Sequence, residues 1–221
     1  MKKFIVIGLG NFGLNLARVL TENGCEVLGI DKNRDAVETA KDIISHAIIA
    51  DSTNRDVLSS LPLKDFDAAV ISTGQEMAKS ILISFYVKEL GIKNIIARAI
   101  SEDHGEILKK VGVTTVVFPE KDMAIRIANI LSLKNALDYL PMGRDYGISE
   151  VRPPQSFTGK TLMDLQIPNR FNCQVIGIKE DPSETGGEKF IIAPKADSII
   201  HEKSTLVLIG RNRDIEKIQN L

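Results

Sequence analysis

Long apolar runs are missing from this sequence. Its longest are strand-sized, well short of the roughly eighteen consecutive apolar residues that suggest a membrane-spanning helix. Cysteine is scarce: Cys25 and Cys173 are the only two, with no CxxC spacing. That argues against a structural disulfide or zinc site and fits a reducing cytoplasm. His46, His104 and His201 are scattered, and none stands at metal-ligand spacing from another. Excess charge is missing too. The 28 basic and 29 acidic residues give a net charge of −1, so nothing draws the chain to nucleic acid or to an acidic membrane surface. Lys2-Lys3 is followed by an apolar run that glycine cuts short, so no secretory signal is expected.

What is present is an ordinary globular composition, 43% hydrophobic and 26% charged over 221 residues. This is enough for one large domain or two smaller ones. The chain is organised by its first thirty-one residues. Phe4-Ile5-Val6-Ile7 is a short apolar run, and Gly8-Leu9-Gly10-Asn11-Phe12-Gly13 follows at once. Leu16, Ala17 and Leu20 then keep helical spacing up to Gly24, and Val27-Leu28-Gly29-Ile30 ends on Asp31. Strand, glycine turn, helix, strand and acid in this register predict a nucleotide grip. Gly8 permits the tight turn, Gly10 leaves room for a phosphate, and Gly13 lets helix and strand pack closely. The helix N-terminus offers unpaired N–H groups to that phosphate, and Asp31 would accept hydrogen bonds from ribose hydroxyls. Asp31, followed by Lys32, argues against a required 2′-phosphate. The competing reading is a doubly wound fold whose turn is unused.

The alternation continues. Strands are expected at Ala47–Ile49, Ala68–Ser72, Asn94–Arg98 and Thr114–Phe118, with helices between them. Six apolar runs alternating with helices predict an α/β fold, a Rossmann-type doubly wound parallel six-stranded sheet covered on both faces. Ligands in such sheets sit beyond the carboxyl ends of the strands. That rule selects Asp31, Asp51-Ser52-Thr53, Thr73-Gly74 and Arg98. Asp51 and Ser52 would edge a base or ribose, and Arg98 would pair with phosphate. The plainer alternative for each is a helix cap or surface charge. The helix from Ala78 to Leu90 is apolar nearly all round, which predicts a second buried face, against another subunit or the rest of the chain.

Glu120 to about Leu140 reads as one long helical stretch, broken by Pro141 and Gly143. The expected organisation is a nucleotide-binding domain at 1–119, crossover or linker helices at 120–140, and a small α+β domain at 141–221. The last is about seventy-five residues of recognisable pattern, near the minimum for an independent domain. In it, Thr161 and Asp164 have capping-box spacing, and Asp181 to Glu188 reads as a polar turn. No reaction centre is found. A nicotinamide dehydrogenase needs a proton donor or acceptor, and Tyr86, Tyr139 and Tyr146 have no lysine four residues later. No Ser/His/Asp or Cys/His arrangement is evident.

Gly8 to Gly13, Gly29-Ile30-Asp31, Ile49 to Thr53 and Pro119-Glu120-Lys121-Asp122-Met123-Ala124 together closely resemble the KtrA/TrkA-like RCK (KTN) regulatory subunits of Trk/Ktr potassium uptake systems. The resemblance covers the whole chain. It implies an RCK N-terminal domain, a crossover helix from Glu120 and an RCK C-terminal subdomain. It also implies a nucleotide-sensing gating subunit rather than an enzyme, binding ATP, ADP, AMP or NAD(H) at the glycine turn, formed by Gly8, Gly10, Asn11, Phe12 and Gly13. Asp31 would take the ribose, Asp51 and Ser52 the base side, and Arg98 the phosphates, with Lys32, Thr53, Thr73 and Gly74 completing the expected binding set. Glu120 would lie at a dimer interface near a divalent cation, Mg or Ca. Homodimers would assemble into an octameric ring on the cytosolic face of a membrane-embedded potassium channel. Many Ktr members carry arginine where this chain has Asn11, which puts a preference for ATP in doubt. Relatives can bind a cyclic dinucleotide in the C-terminal unit, and no motif here decides that. The alternatives are a NAD-dependent oxidoreductase with an unrecognised active site and a redox-sensing nucleic-acid binder, the latter disfavoured by the neutral charge.

Overall fold

The structure, a computed structural model, describes residues 1–73, 76–132, 136–143, 145–181 and 189–221. It divides into two units, Met1–Pro119 and Glu120–Leu221.

The first unit alternates strand and helix as its apolar runs require: β1 (Lys3–Ile7), α1 (Asn11–Glu22), β2 (Glu26–Asp31), α2 (Arg34–Lys41), β3 (His46–Ile49), α3 (Arg55–Ser59), β4 (Ala68–Ile71), α4 (Met77–Glu89), β5 (Ile95–Arg98), α5 (Glu102–Lys110) and β6 (Thr115–Val117). All six strands are parallel, in the order β3-β2-β1-β4-β5-β6. The winding starts at β1, runs outward to β3, and restarts on the other side of β1 with β4. This reversal opens a crevice at the carboxyl ends of β1 and β4. Successive side chains of β1 serve opposite faces. Ile5 and Ile7 join Ile30, Ile71 and Ile83 in one core, while Val6 joins Ala17, Val27, Val37 and Val70 in the other. Each fully buried aliphatic chain contributes roughly 1.5–3 kcal/mol, so both faces of the sheet are anchored.

Side chains cap three helices of this unit. Asn33 accepts from the N–H groups of Asp35 and Ala36, Asn54 from that of Asp56, and Ser101 from that of His104. Such caps satisfy orphan donors at helix starts. Helix α4 buries Ser80, Ile83, Ser84 and Val87. Leu82 and Phe85, on its other side, stay exposed. The second buried face expected of this helix is therefore not supplied by the described residues of the first unit.

The second unit opens with α6 (Pro119–Ser132). The long helix expected to reach about residue 140 ends there, and residues 136–140 are corrected from helix to strand. Strand β7 (Ala136–Pro141) pairs antiparallel with β8 (Tyr146–Val151). The cause is tertiary. Tyr139 is buried with its ring over Gly147, where a Cβ would come within 2.5 Å, and its hydroxyl donates to Asn212 Oδ1 at 3.1 Å. An Ala-Leu-Asp-Tyr-Leu run is too short for periodicity to separate helix from strand.

The remainder follows as α7 (Leu162–Leu165), α8 (Ile167–Phe171), β9 (Cys173–Glu180), β10 (Lys189–Ile192), β11 (Thr205–Arg211) and α9 (Asn212–Gln219). The sheet order is β10-β9-β11-β8-β7, antiparallel throughout. The Thr161–Asp164 capping box is present in both directions. The expected polar turn, apart from Asp181, lies outside the described residues. Phe157, Leu165, Ile167, Phe171, Leu206 and Ile215 form this unit's own core.

One buried titratable group gives the first unit a pH dependence. His104 is fully buried; its Nδ1 accepts the Ile100 N–H at 3.3 Å, and its Nε2 has no hydrogen-bond partner among the described residues. Burial lowers its pKa, because the charged form is desolvated. The unfolded chain therefore holds a proton that the folded unit excludes, and stability rises with pH until the unfolded value of about 6.5 is passed. Urea unfolding should show a plateau above about pH 6.5 and a decline below it. His104→Gln should flatten that decline; an equal slope in both proteins would rule this out.

Candidate functional site

The crevice at the reversal point holds a cleft of about 220 Å³. Gly8, Gly10, Asp31, Lys32, Asp51, Ser52, Thr53 and Thr73 all line it, together with Ser72, Glu76 and Lys79. Ile7, Ile30, Ala50 and Ile83 supply its apolar surface.

The three glycines of the turn do different work. Gly8 has φ +96°, where side chains are strained, and a Cβ would meet the Ser72 carbonyl at 2.5 Å. Gly13 sits so close beneath the turn that a Cβ would lie 1.9 Å from the Gly8 carbonyl oxygen. Both are demanded by the protein's own packing. Gly10 is different: its φ is ordinary, and a Cβ there would meet nothing within 4 Å. The open space at Gly10 faces the cleft, so room is kept there for something other than the protein.

Gly10 is also the N-cap of α1. It supplies no side-chain cap, and the first turn has no acidic residue. The early N–H groups of a helix have no partner within it, and here, unlike in α2, α3 and α5, no side chain caps them. Asn11, Phe12 and Gly13 do not wall the cleft. They belong to this first turn, where the backbone rather than the side chain carries the partial positive charge.

Asp31 closes β2, and each of its oxygens is engaged. Oδ2 accepts the Leu9 N–H at 2.7 Å and Oδ1 accepts the Asn33 N–H at 2.8 Å. The carboxylate thus clamps the glycine turn to the end of β2, a job that reading the sequence had not assigned it. Remaining lone pairs can still accept from a ligand. Asp51 is similarly organised: Oδ1 accepts both the Thr53 hydroxyl at 2.7 Å and the Thr53 N–H at 2.9 Å. The Thr53 hydroxyl, its backbone N–H, Lys32 and Lys79 together hold the Asp51 carboxyl below the usual range, against a smaller opposing effect of desolvation. Asp51 is an Asx-type turn residue; the cap of α3 is Asn54. Ser52 is buried. The Thr73 hydroxyl oxygen is buried in the cleft wall without a hydrogen-bond partner among the described residues. Gly74 lies outside the described residues.

Two expected residues stand elsewhere. Arg98 ends β5, which β4 separates from β1, and is not among the cleft walls. Glu120 is the second residue of α6 and belongs to the second unit. Conversely, Glu76 and Lys79 line the cleft without having been picked out in advance. Their signal was an acid and a base three residues apart just beyond the β4 strand end, which reads equally as an ordinary helix-start pair.

Comparison with known proteins places this geometry. A family model of the TrkA-N domain matches residues 4–119, and one of the TrkA-C domain matches residues 148–221. Ktr system potassium uptake protein C of Bacillus subtilis (strain 168) is 36% identical over 218 residues, covering 99% of this chain and 96% of that protein. Ktr system potassium uptake protein A of the same organism is 32% identical over 219 residues, with the same coverage. Among solved structures, the GsuK RCK domain aligns with TM-score 0.67 at 20% identity, over all of this chain and 48% of that chain. The GsuK channel bound to NAD aligns with TM-score 0.65 at 21% identity, over 99% of this chain and 39% of that one. This chain therefore spans about half, or less, of those GsuK chains.

The packing of the turn predicts a graded response to substitution. Gly13→Ala should destabilise the first unit by about 3 kcal/mol, since overpacking must push α1 off the turn. Asp31→Ala should cost about 1–3 kcal/mol by orphaning the buried Leu9 N–H, and Asp31→Asn, which retains an acceptor, less than that. Urea midpoints measured on the three variants check this order, which fails if Gly13→Ala is the mildest.

Proposed function

This chain belongs to the TrkA family, with a TrkA-N and a TrkA-C domain in tandem, and on that premise we propose that it is a nucleotide-sensing regulatory subunit of a potassium uptake system. It performs no chemistry on its ligand in this reading. Binding changes the arrangement of the subunits, and that change is passed to a membrane-embedded potassium transporter. The single observation that carries the reading is the open first turn of α1, uncapped and facing a cleft at the reversal point of the sheet. Full-length similarity to Ktr system potassium uptake proteins supports the potassium partner.

The ligand is an adenine nucleotide, ADP, AMP, ATP or NAD(H). Its phosphates lie against the N–H groups of Asn11, Phe12 and Gly13, with Gly10 giving way to them. The ribose meets Asp31 beside Lys32, and the base lies towards Asp51, Ser52 and Thr53. Thr73 borders the nucleotide, and Arg98, which is not among the cleft walls, would have to extend from the end of β5 to meet a phosphate. Asn11, short and neutral, removes one reason to favour the terminal phosphate of ATP. Among the described residues no three His, Cys, Asp or Glu side chains stand close enough to hold a metal. A divalent cation at Glu120 would therefore complete its shell with phosphate oxygens and a second copy of the chain.

Subunits pair and then assemble into an octameric ring. Support for pairing comes from α6, on which Met123, Ile125, Ile127 and Leu131 are all exposed. Such an apolar set fits burial against a second copy. No helix among the described residues is long and apolar enough to cross a membrane, so the cytoplasmic subunit meets the membrane through its partner.

A ligand can shift the gate only by its difference in affinity for the two states of the ring. Potassium flux into vesicles carrying the membrane partner should therefore differ between ADP, ATP, NADH and no ligand. Equal flux in all four conditions would sink the gating role. Separately, Gly10→Ala should fold normally yet bind ADP about tenfold more weakly, because the methyl obstructs a charge-assisted contact. Calorimetry beside a melting curve tests this, and unaltered affinity would remove the phosphate from the turn.

A further inference from the structure

The turn, Asp31 and the α1 N-terminus account for one part of the cleft. A second set of groups lines the same cleft and interacts electrostatically: Lys32 after β2, Asp51 after β3, and Glu76 and Lys79 at the start of α4. Glu76 and Lys79 form an ion pair one helical turn apart, Oε2 to Nζ 2.5 Å. Both stand beside the apolar surface of Ile7, Ile30, Ala50 and Ile83.

This set combines acceptors and donors. Asp51 and Glu76 carry carboxylates, and Lys32 and Lys79 carry ammonium groups. The Glu76 carboxyl is held low by its bond with Lys79, and the Lys79 ammonium is held high chiefly by its bond with Glu76, so both remain charged across the neutral range. Phosphates at α1 and ribose at Asp31 leave a flat heterocycle to lie on the apolar surface. Its polar edge then meets this set. Adenine presents an amino donor next to a ring-nitrogen acceptor, whereas guanine presents two adjacent acceptors, O6 and N7. A carboxylate beside an ammonium complements the first edge, whereas on the second edge the carboxylate faces O6, an acceptor that repels it.

We infer that Glu76 and Lys79 read the base, and that they select adenine over guanine in this cleft. The inference rests on the nucleotide reading above and adds to it the residues that set its specificity. Glu76 accepts from the exocyclic amino group, and Lys79 donates to the neighbouring ring nitrogen. Asp51, pinned by Thr53, supplies a second acceptor on the same side.

Calorimetry with ADP and with GDP separates the two claims. The wild type should favour ADP by at least about tenfold, the scale of one well-matched base edge. Glu76→Gln, whose amide can donate to O6 as readily as it accepts from an amino group, should bring the two nucleotides within about threefold. The double exchange E76K/K79E keeps an ion pair but reverses donor and acceptor. It should narrow the ratio as far or invert it, an effect that a merely structural pair would not produce. Circular dichroism melts of each variant confirm folding. Variants that bind ADP with the wild-type ADP-to-GDP ratio would overturn the role of the pair alone. A wild type that binds neither nucleotide would overturn it together with the nucleotide reading beneath it.

Discussion

The contact between α1 and the glycine turn is the constraint on which the first unit depends. No methyl group fits between Gly13 and the Gly8 carbonyl, so the helix axis is brought hard against the end of β1. Asp31 then ties the same turn to β2 through the Leu9 N–H. Two independent restraints therefore fix one short segment. The consequence is functional: the uncapped N-terminus of α1 is held, not merely oriented, toward the cleft. A fixed donor array need not reorganise when an anion arrives, which is the physical advantage of a preformed site.

The cleft is fitted for binding rather than for chemistry. Its carboxylates are already occupied by backbone, hydroxyl or ammonium partners, as Asp31, Asp51 and Glu76 each show. At Asp51 and Glu76 those partners favour the charged form, and a carboxylate so held is a poor proton carrier near neutrality. The same partners make it a well-placed acceptor. A sensor needs that combination, because its output is a difference in affinity between two arrangements and not a product. Apolar side chains stay exposed on α4 and α6, Phe85 and Leu82 on one and Met123 and Leu131 on the other.

Much of this was legible beforehand wherever local chemistry and global packing agree. The parallel sheet followed from six apolar runs, and the Thr161–Asp164 box from spacing alone. Reading failed where a short segment admits two periods. Ala136–Pro141 became a strand because Tyr139 packs over Gly147 and bonds Asn212, residues far along the chain. Glu76 and Lys79 escaped notice for a related reason. Nothing local distinguishes an ion pair facing solvent from one lining a cleft.

The sequence by itself determined the winding of the first unit and the open space at Gly10, since glycine placement and apolar period act over a few residues. Only the tertiary structure decided which acids clamp backbone and which charges line one cleft. Those properties arise between strand ends that are distant in the chain, and strand order brings them together.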